Sequence, residues 1–149
     1  MVSNDLELTV DKFTFRVPQD RLYSRDDCWV LVLDKGTRIG LTDFRQQASG
    51  DIAFVELPAA GLRVAQNEEM VAIETIKVTL AIPAPISGTV QSTNADLATQ
   101  PELVNRDPYG NGWLVEMAVT DANQLRALLS PSEYFTLMRE KAESERMKR

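Results

Sequence analysis

One lysine stands where an amine could carry chemistry. Val71 and Ile73 alternate with Ala72 and Glu74; Val78, Leu80 and Ile82 alternate with Thr79 and Ala81; between these runs lies Thr75-Ile76-Lys77, with no Gly or Asn. The two alternations predict half-buried strands meeting at a tight turn with Lys77 at or near its tip. An amine on a flexible stem, held out by a sheet, is open to a modifying enzyme, and Glu74, three residues earlier, adds a local charge for recognition. A long arm hung there would visit several partners, tethering an intermediate rather than transforming it. The ordinary fate of a turn lysine is the opposing account: a solvated charge with no further role.

Little else in the chain offers reactivity. The 149 residues include no histidine and a single cysteine, Cys28. A Ser-His-Asp triad, a Cys–His pair, an imidazole metal site, an intrachain disulfide, a CxxC redox pair and a cysteine zinc cage are all excluded. Redox or group-transfer chemistry therefore needs a reactive group brought from outside, and neither a catalytic nor a metal-ligating set is expected. Cys28 heads the alternating run Cys28-Trp-Val-Leu-Val and reads as a strand thiol, with Asp26 and Asp27 raising rather than lowering its pKa. The carboxylate pairs Asp26/Asp27 and Glu68/Glu69 are adjacent, so on a strand their side chains diverge, and solvated charge is the expectation for both. Trp29, Trp113 and Phe54 are expected in the core.

Many short strands broken by Gly and Pro must position the lysine. Lys12–Val17 reads as a short strand after a loosely held lead-in over about residues 1–10. Cys28–Leu33 and Thr37–Thr42 flank Asp34-Lys35-Gly36 as a β-hairpin. Asp43–Ser49 reads as a helix with Thr42 as N-cap and Gly50 as stop. Ile52–Leu57, the two strands around Lys77, a strand from Gly88 and another over Trp113–Val119 complete the set, with a helical turn at Thr99–Leu103 and a turn cluster at Asp107–Gly112. Asp121 with Gln124 resembles a capping box for Ala122–Leu129, and Ser130-Pro131-Ser132-Glu133 a second. The last helix carries Tyr134, Phe135 and Met138, then turns wholly polar and is expected to fray or project. The sum is a mainly β sandwich or flattened barrel with short, chiefly C-terminal helices. It is organised as one domain over 1–138 and a polar helical tail over 139–149.

Charge narrows the partners. The formal net charge is −6, and residues 1–138 hold 11 basic against 19 acidic side chains. An acidic body repels phosphate backbones and argues against nucleic acid. No apolar run approaches the ~18 residues that span a bilayer. The acidic start is the reverse of a signal peptide's basic region, and an unpaired cysteine suits the cytoplasm.

Longer blocks of the sequence resemble a known family. Gly50-Asp51-Ile-Ala-Phe-Val-Glu-Leu-Pro58, Glu74-Thr-Ile-Lys77-Val, Pro85-Ile-Ser-Gly88 and Pro101-Glu-Leu-Val-Asn105-Arg-Asp-Pro-Tyr-Gly110-x-Gly-Trp113 occur in the order found in the glycine-cleavage H-protein family of lipoyl carriers, from about Cys28 to Met138. The resemblance implies the lipoyl-domain fold (the barrel-sandwich hybrid), a flattened barrel of two small sheets. It makes Lys77 the lipoyl-lysine, with Glu74, Thr75, Ile76 and Val78 as its supporting residues and lipoate as the covalent cofactor. It implies a carrier rather than an enzyme, served by a lipoylating enzyme and acting as a monomer.

The chain departs from the family pattern in three places. Ser-His-Glu-Trp of the family is Asp26-Asp27-Cys28-Trp29; the His or Tyr after Thr-Asp is Phe44; and the helix end is Ala48-Ser49-Gly50. In the family these segments line a cleft that shelters an aminomethyl-loaded arm. A cationic amine needs an acceptor beside it, which Cys28 and Ala48 do not supply, although Asp26, Asp27 and Asp43 are candidate substitutes. The favoured branch is therefore the H-protein-like lipoate-binding proteins of heterodisulfide-reductase-like sulfur oxidation, with that complex as partner. The first alternative is a glycine-cleavage H protein serving the P, T and L proteins. The second is a binding module of the same fold without lipoate.

Overall fold

The structure, a computed structural model, describes residues 4–147, the last by its backbone alone. Strands β1 (Leu6–Val10) and β2 (Phe13–Val17) form a hairpin of their own. Six strands lie in the order β3 (Leu22–Tyr23), β4 (Cys28–Val32), β5 (Thr37–Leu41), β11 (Val115–Val119), β10 (Gly88–Thr93) and β7 (Arg63–Val64). A third sheet joins β6 (Ile52–Glu56), β8 (Glu69–Thr75) and β9 (Thr79–Pro83). All these pairings are antiparallel. The two larger sheets bury one core: Val30, Ile39 and Met117 from one meet Ile52, Ile73 and Ile82 from the other. Each such side chain contributes roughly 1.5–3 kcal/mol on leaving water. This is the mainly β sandwich that the strand pattern predicts, laid out as the family resemblance implies.

Local chemistry sets the joints. Helix α1 (Asp43–Ser49) starts where the Thr42 hydroxyl accepts the Arg45 N–H, and it ends at Gly50, whose φ of 83° suits a residue without Cβ. Trp29 lies against Gly40 across the β4–β5 pair, so close that a Cβ on Gly40 would fall 2.5 Å from the indole. The Trp29 Nε1–H donates to the Pro108 carbonyl at 3.0 Å, satisfying the polar edge of a buried ring.

Two aromatic expectations change. A β-bulge between Ile52 and Phe54 breaks the alternation of β6, so Ile52 and Val55 point inward while Phe54 is 49% exposed. Trp113 is half-buried rather than core, with the Arg38 guanidinium 4.9 Å over its ring.

Both ends of the chain are better held than expected. The expected lead-in is a strand from Leu6 onward: Leu6, Leu8 and Val10 alternate, pair with β2 and pack on a second apolar cluster. Met1–Ser3 lie outside the described residues. Helix α3 (Ala122–Arg126) stops three residues short of Leu129, which exchanges backbone hydrogen bonds with Tyr23 instead, and its expected capping box is incomplete because the Gln124 side chain accepts the Ser87 N–H while Asp121 accepts the Asn123 N–H. Helix α2 (Leu103–Arg106) follows the turn at Pro101, after a 3-10 turn over Ala95–Ala98.

Helix α4 (Pro131–Met147) opens on the expected capping box. Ser130 Oγ accepts the Glu133 N–H at 3.2 Å, and the Glu133 carboxylate accepts the Ser130 N–H at 2.9 Å. Tyr134, Met138 and Ala142, four residues apart, bury one face against Phe15, Val17 and Tyr23. The expected helix is present as far as Met147, but it neither frays nor projects over 139–147. Lys141 Nζ donates to the Arg25 carbonyl at 2.6 Å and to Asp27 at 3.0 Å, and Arg146 pairs with Asp11 at 3.3 Å. Lys148 and Arg149 lie outside the described residues. No helix among the described residues is long and apolar enough to cross a membrane.

Ending the chain at Glu140 removes Lys141, Ala142 and Arg146 together. The expected loss is about 2–4 kcal/mol, because the buried Asp27 carboxylate loses its cation. Thermal unfolding followed by circular dichroism should show Tm falling by about 5–10 °C; an unchanged Tm would restore the fraying tail.

Candidate functional site

The β8–β9 hairpin places Lys77 on an exposed turn, Thr75 to Val78, between strands rooted in the core by Val71, Ile73 and Ile82. One side chain organises this turn. The Thr75 N–H donates to the Val78 carbonyl at 2.9 Å, and the Thr75 hydroxyl donates to the same oxygen at 3.2 Å. That hydroxyl also accepts the Lys77 and Val78 N–H groups at 3.3 and 3.2 Å. The turn therefore needs no left-handed residue, and none of its residues has a positive φ, which is why the sequence shows neither Gly nor Asn there. Ile76 and Val78 flank the lysine and are 84% and 51% exposed. Glu74 is exposed one row back, across from Phe54 on β6 and Thr79 on β9. An acyl group on an amide bond needs an accessible amine on a fixed turn. Lys77 offers that, and none of the ion pairs between described residues involves it.

Cys28 is remote from such a role. It is fully buried, and burial above all, then the charges of Asp27 and Asp26, pushes its thiol up to about 12. Phe44 is also buried, edge-on to Phe15 at 5.4 Å between ring centres. Of the segments that depart from the family pattern, Trp29 and Phe44 are buried beneath the β1–β2 hairpin and α4 and Cys28 in the core between the two larger sheets, while Asp26, Ala48 and Gly50 are exposed.

The three candidate carboxylates do not converge. Asp26 is exposed beside a shallow depression near Ser24 and Pro85. Asp27 was expected to be solvated; instead it is 5% exposed, accepting from Tyr134 Oη at 2.8 Å and Lys141 Nζ at 3.0 Å. Burial, then the Asp27 charge, drives the Tyr134 hydroxyl well above its ordinary value. Asp43 lines a separate cleft of about 760 Å³ with Arg16, Arg21, Asn105 and Tyr109. Its oxygens accept the Arg16 N–H and the side-chain amides of Gln46 and Gln47.

That cleft touches the lysine-bearing sheet through one residue the sequence reading passed over. Asn105 Oδ1 accepts the Ile52 N–H at 3.0 Å, and its amide donates to Gly50 and Gln46. Ile52 pairs with Thr75, so Asn105 braces the strand beside the turn. The signal was present in the Pro101–Trp113 block, but as a motif without a stated contact. Arg21 closes the cleft's other wall, its guanidinium over Trp29 at 4.6 Å and on Asp20, whose carboxyl it holds below the ordinary carboxylate value. Glu68 and Glu69 remain exposed, as expected, and no cluster of ligating side chains suited to a metal ion occurs among the described residues.

Known proteins share this architecture and sequence. The profile of the family described as Glycine cleavage H-protein matches residues 21–141. A glycine cleavage system H protein of Carboxydothermus hydrogenoformans is 39% identical over 127 residues, covering 85% of this chain and 98% of that protein. A probable glycine cleavage system H protein of Natronomonas pharaonis is 45% identical over 121 residues, 81% of this chain and 95% of its own. The crystal structure of a glycine cleavage system H protein from Mycobacterium marinum superposes with a TM-score of 0.73 at 33% identity, covering 79% of this chain and 95% of that one.

Two measurements check the site. Iodoacetamide at pH 8 should leave Cys28 unmodified in the native protein by intact mass and alkylate it after unfolding in urea; rapid native labelling would contradict its burial. Thr75→Val should speed hydrogen exchange at the Lys77 and Val78 amides about tenfold by NMR, the equivalent of one lost hydrogen bond, with the core amides unchanged.

Proposed function

The chain belongs to the glycine cleavage H-protein family, whose members are lipoyl carriers and not enzymes, and from that premise we propose that Lys77 is its lipoate attachment site. The observation that carries this reading is the exposed lysine on a turn tied by the Thr75 hydroxyl above a rooted hairpin. Bound there as an amide, lipoate supplies a dithiolane that takes up cargo at one enzyme and gives it up at another. The chain's own part is mechanical and electrostatic. β8 and β9 fix the base of the arm, the Thr75 hydroxyl holds the turn, Glu74 marks the approach, and the acidic body steers the carrier to basic surfaces. The unpaired, buried Cys28 supports a cytoplasmic setting.

For cargo, the names of the relatives support the aminomethyl group of glycine, carried among the P, T and L proteins of glycine cleavage. A second reading has one structural observation in its favour. Trp29 and Phe44, in segments that depart from the family pattern, are closed over by the hairpin and α4, Cys28 is buried in the main core, and Asp27 and Asp43 are already engaged. That favours a cargo needing no amine shelter, such as sulfur or electrons in a heterodisulfide-reductase-like sulfur-oxidation system.

Protein produced in a lipoylating host should carry one lipoyl adduct by intact mass, absent from Lys77→Arg; an unmodified wild type would reject the carrier reading in favour of a bare binding module. Lipoylated protein supplied with glycine and glycine decarboxylase should then accept the aminomethyl group. Failure to load, with the adduct present, would move the assignment to the sulfur-oxidation branch.

A further inference from the structure

The β1–β2 hairpin precedes residue 21, where the family match begins, and its two edges differ. On β2 the outward backbone groups are capped. The Arg16 N–H donates to Asp43 at 3.0 Å, the Arg16 carbonyl accepts from Tyr109 Oη at 2.6 Å, and the Thr14 carbonyl accepts from the Gln47 side-chain amide at 2.9 Å. In an antiparallel pair, two residues that face one another both point their N–H and C=O into the pair or both point them out of it. Glu7 faces Arg16 and Thr9 faces Thr14, so Glu7 and Thr9 turn their backbone groups away from β2. No described residue bonds to those N–H and C=O groups, and both side chains are exposed. β1 reads Leu-Glu-Leu-Thr-Val, with no proline, lysine or bulge to blunt its edge. On its other face Leu6 and Leu8 stay half-buried, whereas Val17 and Phe15 across from them on β2 are buried.

We propose that β1 is a dimerisation edge. It pairs antiparallel with β1 of a second copy of this chain, Glu7 opposite Thr9, with Leu8 opposite Leu8 on the two-fold axis. The family resemblance implies a monomer, so this is a surface that the hairpin adds. In that register Glu7 exchanges both backbone bonds with Thr9 of the second copy, and the reverse, so every outward group is used. The neighbouring registers do worse. Glu7 opposite Glu7 sets two carboxylates face to face, and Thr9 opposite Thr9 leaves Glu7 facing past the end of the strand. The favoured register sets a Glu7 carboxylate beside a Thr9 hydroxyl on the exposed face. On the other face it joins the two Leu6-Leu8-Val10 rows, so apolar surface half-covered in one copy is covered by the next. The joint uses no residue of the lysine-bearing sheet.

Sedimentation of the full chain from about 10 μM to about 1 mM, the range in which a small interface is populated, should show mass rising from one copy toward two. Amide exchange by NMR across that range should slow at Glu7 and Thr9 and stay constant at Leu6, Leu8 and Val10, which point into the β1–β2 pair. Thr9→Pro removes an outward N–H that β2 does not use, so the monomer should keep its Tm while association weakens about tenfold or more. Thr9→Glu and Thr9→Lys keep every backbone group and read the register. The first sets a like charge opposite Glu7 of the second copy and should weaken the dimer several-fold; the second should strengthen it. A chain that stays one copy throughout overturns the proposal. A dimer whose Glu7 and Thr9 amides exchange no more slowly, or one that responds alike to the two charge variants, overturns it as well, because its joint then lies elsewhere.

Discussion

The buried carboxylate of Asp27 fixes how the second half of the molecule closes. A carboxylate taken out of water costs several kcal/mol unless donors and a cation replace its hydration. Tyr134 Oη and Lys141 Nζ do so, and both belong to α4. Tyr134 also shares a hydrogen bond of 2.8 Å with the Thr42 hydroxyl, the group that caps α1. Three segments distant in sequence thus meet at one residue, which itself adopts a φ of 69°, in the left-handed region. With α4 held there, Tyr134 stacks on Tyr23 at 4.7 Å and the β1–β2 hairpin completes a second apolar cluster. Trp29 and Phe44 lie beneath that closure, while Cys28, one residue earlier on β4, is buried in the core between the two larger sheets.

The sheet sandwich does the opposite work. Its core fills the space between two small sheets and leaves the β8–β9 turn standing out from it. A lysine on a loose loop would sweep a large volume. Mounted on strands whose inward residues Val71, Ile73 and Ile82 are buried, Lys77 has a fixed origin, and the reach of any arm hung there would be set by the arm alone. The Thr75 hydroxyl completes that mounting by serving three backbone groups within a turn of four residues. A β-branched hydroxyl residue is suited to this because its χ1 is already restricted and little further freedom is lost.

Much of this was legible in the sequence where period and punctuation agreed. The alternation either side of Lys77, the Thr42 cap with Gly50 stop, and the Ser130–Glu133 box appear where expected because each is decided by neighbours in sequence. What failed was decided by partners far away. Nothing local marks Asp27 as buried, since its donors lie more than a hundred residues on. The polar run after Arg139 hides an ordered helix because one alanine and two cations suffice to seat it against the hairpin. Phe54 reads as core until a one-residue bulge reverses its side of the sheet, and bulges leave no mark in hydrophobic pattern. The family resemblance identified the fold, while the closure over Trp29 and Phe44 required the coordinates of segments flanking the shared blocks.

The absence of histidine then has a physical meaning. A catalyst needs groups whose protonation changes near neutrality, and a carrier does not. Here the buried Cys28 thiol and Tyr134 hydroxyl are held in their neutral forms, both raised first by desolvation and then by the Asp27 charge. The Asp27 carboxylate is itself consumed in structural hydrogen bonds. Such a chain contributes position and surface charge while leaving bond-making to an attached group and to partner enzymes. Its design problem is to keep its own side chains from competing with that group. Burying the one thiol, and leaving an amine in the open at the other sheet, solves it with the same two layers that make the fold stable.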